Sequence, residues 1–162
     1  MKTSTLVISL SGVSAIAIAA AVHFNPFAST RAALTLRPGD PQVLAAGERI
    51  YIAQCATCHG LRLEGQPEWR TRGVDGLLPA PPHDASGHTW HHPDETLFRI
   101  TKFGVASIVG DPGYRTAMPV YDGRLGDEEI IAVLSWIKAQ WPPAVQHKHD
   151  QMNAQAAKAS RP

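Results

Sequence analysis

Cys55, Cys58 and His59, in Cys55-Ala56-Thr57-Cys58-His59, bring two thiols and an imidazole within five consecutive residues. The chemistry served by this spacing is covalent attachment of haem c. Each thiol adds across one of the porphyrin's two vinyl groups, so the sulfurs must stand a fixed short distance apart, and the histidine that follows can turn its imidazole under the iron. These are the only two cysteines in 162 residues, which excludes a disulfide-rich scaffold and any zinc site built from three or four thiolates of this chain. Other uses of a Cys-x-x-Cys pair fit less well. A thioredoxin-like pair expects a strand, a turn and a helix, whereas this motif closes a helical pattern. A structural disulfide would leave His59 idle, and a zinc site would need a finger-like histidine pair.

Histidine is the second feature. The chain has eight, and His59, His83, His88, His91 and His92 fall in one stretch. Imidazole suits copper and zinc, so His83, His88, His91 and His92 form a candidate second metal site. Against it stands a plainer use, in which Trp90 covers an edge of the haem and the histidines bond to backbone or propionates. A third use makes one of them the iron's distal ligand. Fifteen Lys and Arg against fourteen Asp and Glu leave no basic stripe, so no nucleic-acid partner is expected.

Helices must position these residues. Asp40 suits an N-cap and Pro41 a first helical position, and Val43, Leu44, Gly47, Ile50 and Tyr51 share one face up to the cysteines. A second helix starts at Pro93-Asp94-Glu95, runs through Leu97, Phe98 and Ile100, and stops at Gly104. A third is capped by Asp127, carries Ile130, Ile131, Val133, Leu134 and Ile137 as its buried stripe, and ends before Pro142-Pro143. No segment alternates like a strand. About thirty residues rich in glycine and proline separate the first two helices, a length that suits a loop wrapping a large apolar ligand. Such a ligand would also supply the core that three short helices lack.

Met1-Lys2 and the uncharged run Leu6–Val22 read as an export signal or as a retained N-terminal membrane anchor, at residues 1–22. Residues 23–39 read as a linker, 40–141 as the domain, and 142–162 as a polar, alanine-rich tail expected to be disordered or a frayed helix. Either reading of the N-terminus places the domain on the exported, periplasmic side.

With these residues in place, the chain resembles a class I mono-haem cytochrome c, from about Asp40 to Trp141. Leu63-Glu64-Gly65-Gln66-Pro67 and Gly87-His88-Thr89-Trp90-His91-His92 are similar to a subgroup of exported bacterial cytochromes. The resemblance implies an all-α cytochrome c fold, with three main helices and long loops around one covalent haem c. In that family a glycine and an aromatic four residues later pack against an aromatic of the last helix, which Gly47, Tyr51 and Trp136 match. Met118, the only methionine between the haem motif and the tail, stands in Thr116-Ala117-Met118-Pro119 and looks like the family's distal Met-Pro ligand. One of Pro79, Pro81 and Pro82 is expected to accept a hydrogen bond from His59 Nδ1. The function implied is a one-electron carrier, not an enzyme, working between redox protein partners and tethered to a membrane if residues 1–22 are uncleaved. The alternatives are metal handling by the histidine loop, or peroxidase-like activity at a labile distal position.

Overall fold

The computed structural model describes residues 34–111 and 113–159, and the signal or anchor at residues 1–22 lies outside them. Among the described residues every regular element is helical. The long helices are α1 (Pro41–Gln54), α3 (Asp94–Phe103), α5 (Asp127–Ala139) and α6 (Pro143–Ala159). Single-turn helices α2 (Ala56–His59) and α4 (Ala106–Val109) and a 3₁₀ turn (Thr89–His91) lie between them. None of these helices is long and apolar enough to cross a membrane.

α1 starts as its sequence dictates. Asp40 Oδ1 accepts from the backbone N–H of Gln42 and Val43 at 3.0 and 3.3 Å, satisfying amides that the first turn leaves unpaired, and Pro41 takes the first position. α5 begins one residue earlier than Asp127 capping would require: Gly126 is the cap residue, and Glu129 Oε2 reaches back to accept its N–H at 2.8 Å. Asp127 instead pairs with Lys102 Nζ at 2.5 Å, tying the end of α3 to the start of α5.

α1 and α5 form the central crossing, and Gly47 sets its depth. A Cβ there would lie 2.1 Å from the Ala132 carbonyl oxygen and 2.8 Å from Trp136 Cβ. Tyr51 and Trp136 then meet with ring centroids 4.7 Å apart, a contact worth about 1 kcal/mol beyond its area. Ile130, Val133, Leu134 and Ile137 of α5 are buried beside them.

The tail expected to be disordered or frayed is instead α6, tied to the body through His149, Asp150 and Asn153. Pro142-Pro143 ends α5, and Pro143 also opens α6, where its missing N–H costs nothing. The docking is polar, so no apolar period announced it. Asn153 Oδ1 accepts from Asp94 N at 2.8 Å and its amide donates to Asp94 Oδ1 at 2.9 Å, pairing α6 with the start of α3. His149, fully buried, donates from Nε2 to the His92 carbonyl at 3.0 Å and stands edge-on to Trp141 at 5.0 Å.

Candidate haem site

Cys55 is the last cap of α1, and α2 follows at once, so both thiols and His59 share one tight turn. Cys58 N and His59 N both donate to Cys55 O, at 3.1 and 2.9 Å. Gly60, at φ 81°, ends the turn, and the Tyr51 hydroxyl donates to its carbonyl at 2.7 Å. Neither cysteine is in a disulfide; Cys55 is half-buried and Cys58 exposed. Burial first, and the neighbouring Cys58 next, push the Cys55 thiol up to about 11.

His59 is buried, and its Nδ1–H donates to the carbonyl of Pro81 at 2.8 Å, so Pro81 is the one of the three prolines that takes this bond. The bond leaves Nε2 available to ligate a metal and would make the ring a stronger donor. Burial lowers the His59 pKa and the Pro81 carbonyl opposes that, the net effect favouring the neutral imidazole a metal needs.

Pro81 belongs to a strap, Ala80–Asp84, held from several sides. Gln66 accepts from Ala80 N through Oε1 and donates to Ala80 O through its own N–H, at 2.8 and 2.9 Å. His83 N donates to Leu63 O at 2.8 Å, and the Trp141 indole donates to His83 O at 2.7 Å. Two glycines let the strap lie this close. A Cβ at Gly65 would meet Pro82 N at 2.4 Å, and one at Gly87 would meet Pro82 O at 2.0 Å. Leu63 holds its carbonyl in place with φ at 67°, a left-handed conformation that costs a residue with a side chain roughly 1–2 kcal/mol. Gln66, Thr89 and Trp141 were not singled out for the site by sequence. Trp141, an aromatic beside a helix-ending Pro142, is the one a closer reading of the motif's surroundings could have found.

Met118 lies half-buried in the loop between α4 and α5. Three residues on, Tyr121 is buried, and its hydroxyl donates to Gln54 O at 2.7 Å, beside Cys55. Three residues of chain, at most about 11 Å, separate Met118 from this anchored tyrosine. A cleft lined by Gln66, Gly73, Leu77, Leu78, Pro79 and Ala117 runs where the Met118 loop meets the loop leading to Pro81.

The second-metal reading of His83, His88, His91 and His92 is not met. Among the described residues no three His, Cys, Asp or Glu side chains could hold a metal ion together. The physical reason is that the rings face different partners. His83 lies on His59 with centroids 3.9 Å apart and planes 19° apart, His91 packs on Trp90 at 3.7 Å, and His88 stacks on Trp69 at 5.1 Å with only the edge of His92 beside it. Desolvation and mutual repulsion also lower the pKa values of His83, His88 and His92. Trp90 donates to Ala85 O at 3.3 Å and is engaged within its own loop.

The donor set fits a haem. Apart from Ile52 on α1, the large apolar side chains left exposed among the described residues, Leu61, Val74, Leu78, Phe103, Val109 and Val120, belong to the two stretches that flank the Cys-His turn and the Met118 loop. These side chains, left in water by the protein's own packing, are of the type that lines a site for an apolar macrocycle. A family model described as cytochrome c oxidase, cbb3-type, subunit III, matches residues 42–137. No curated protein and no solved structure matches the chain.

Proposed function

The chain belongs to the c-type cytochrome domain family described as cytochrome c oxidase, cbb3-type, subunit III, and from that membership we propose that it is a mono-haem one-electron carrier with His59 and Met118 as axial ligands. The domain has the all-α cytochrome c fold, and haem c is its covalent cofactor. Cys55 and Cys58 each add S–H across one vinyl group, sulfur to one carbon and hydrogen to the other, so nothing leaves. The bound haem supplies a single ferric–ferrous couple.

The observation that carries the reading is the His59 ring beside two unpaired thiols, its Nδ1 on Pro81 O at 2.8 Å. Met118 is supported by its half-buried place in a loop tethered beside Cys55. His83 lies against His59 itself, so it does not compete for the opposite face. His59 and Met118 together would leave a bound haem no open site for a substrate, which fits a carrier, and a thioether ligand would favour its ferrous state. The balance of charge implies docking to donor and acceptor proteins with weak electrostatic steering. We further infer from Met1-Lys2 and the uncharged run that follows that the domain works on the exported, periplasmic side, with residues 1–22 as a cleaved signal or an anchor.

Expression with a haem-attachment system and haem staining after denaturation test the attachment. Wild type should retain haem, and Cys55→Ser with Cys58→Ser should lose it; covalent haem in the double variant would overturn the assignment. A weak far-red sulfur-to-ferric-iron band is the expected sign of Met118.

A further inference from the structure

A single hydrogen bond from Nδ1 holds one atom of the proximal imidazole but tolerates tens of degrees of swing of the ring, since such bonds weaken steeply only when well out of line. The structure supplies a second restraint. The His83 ring lies on the face of His59 at 3.9 Å and nearly parallel to it. His83 is itself fixed at three points: its N–H on Leu63 O at 2.8 Å, its carbonyl under the Trp141 indole at 2.7 Å, and its Nδ1 hydrogen-bonded to the buried Thr89 hydroxyl at 2.7 Å. Residues 81 and 83 of one strap therefore grip His59 by an edge and by a face.

We propose that His83 is a positioning residue for the proximal ligand: its ring, held by Thr89 on a backbone that Leu63 and Trp141 fix, sets the rotation of the His59 imidazole about its own axis and so its orientation over the haem. The role is mechanical, carried by a flat ring in van der Waals contact, and another planar side chain can fill it. The inference rests on His59 being the proximal ligand. α6 joins the same arrangement, because His149 braces the Trp141 ring that holds the strap.

The test uses haem-loaded full-length protein and reads the low-spin ferric signal in electron paramagnetic resonance, whose largest g value follows axial-ligand orientation, together with the midpoint potential. His83→Ala should broaden and shift the largest g value and move the potential, His83→Phe should restore both, and Thr89→Val should fall between. Wild-type spectra and potential in His83→Ala, or a His83→Phe that behaves as the alanine variant does, would overturn the proposal. If His83→Ala yields no haem-loaded protein, Thr89→Val against His83→Phe decides in the same way, and a Thr89→Val signal equal to wild type counts against it. His59→Ala separates the two levels. Loss of the low-spin signal there with a silent His83→Ala removes only the role of His83, whereas a retained signal removes the His59 assignment and this inference with it.

Discussion

On the proposed ligation Met118 is the residue on which the chemistry turns, because the difference between a carrier and a reactive haem is one occupied coordination position. Replacing it with alanine removes the thioether and leaves that position to water. Met118→Ala should therefore lose the far-red band, show high-spin ferric features, lower the midpoint potential and gain peroxide-dependent oxidation of a dye that wild type lacks. Optical spectra and a peroxidase assay check this, and an intact far-red band in the variant would mean that another sulfur is bound. The cysteines and His59 were legible from sequence because their spacing is itself the chemistry. His83 was legible only as part of a cluster. Its actual partner is 24 residues away in the chain, and a ring stacked on the proximal histidine leaves no local pattern to read.

Element packing tells the same story through Gly47 and α6. Gly47 could be read in advance, since a glycine inside a strong helical pattern needs a reason, and the reason is the Ala132 carbonyl. Gly47→Ala puts a methyl 2.1 Å from a backbone atom that cannot rotate away, so α1 and α5 must separate. The expected loss is about 1–3 kcal/mol or more, measured by urea unfolding of the haem-loaded protein. α6 was not legible, because alanine, glutamine and histidine with a weak apolar period read as a tail, and its docking depends on Asn153 and His149 meeting residues some 57 to 59 positions away. That docking has a pH signature. His149 donates from Nε2 to a carbonyl and turns Nδ1 toward the Asn153 amide, so the fold wants it neutral; burial first, and Lys138 next, lower its pKa from 6.5, against the opposing pull of Asp94, the His92 carbonyl and Asp150. With the folded value below the unfolded one, its contribution is complete above about pH 6.5 and is lost as pH falls below it, where the unfolded chain binds the extra proton. His149→Phe should cost stability at pH 7.5 yet flatten the slope of stability against pH below about pH 6.5 by up to one proton, and an unchanged slope would show that another group carries it.

Across the whole molecule, the buried side chains divide unevenly. Tyr51, Ile130, Val133, Ile137, Trp141 and His149 belong to α1, α5 and α6 and the join between the last two, and all are nearly or fully buried without any ligand. The stretches 60–80 and 103–120 instead leave Leu61 70% and Val120 49% exposed, along with Val74, Leu78, Phe103 and Val109. The length of the glycine- and proline-rich loops, which from sequence alone argued for a large apolar ligand, thus corresponds to a part of the molecule whose own residues do not complete its core. Its stability should depend on the cofactor while the helical crossing keeps a core of its own. Amide hydrogen exchange on the haem-free Cys55→Ala, Cys58→Ala chain, compared with the haem-loaded wild type, reads the two parts separately. Protection should persist in α1 and α5, reduced but measurable, and fall to near that of an unfolded chain through residues 60–88 and 104–126. Uniform loss would mean that the crossing needs the haem as much as the loops do. Uniform retention would mean that the loops are held by the Pro81 strap, Tyr121 and their other hydrogen bonds alone, and that the apolar side chains they expose face something other than haem.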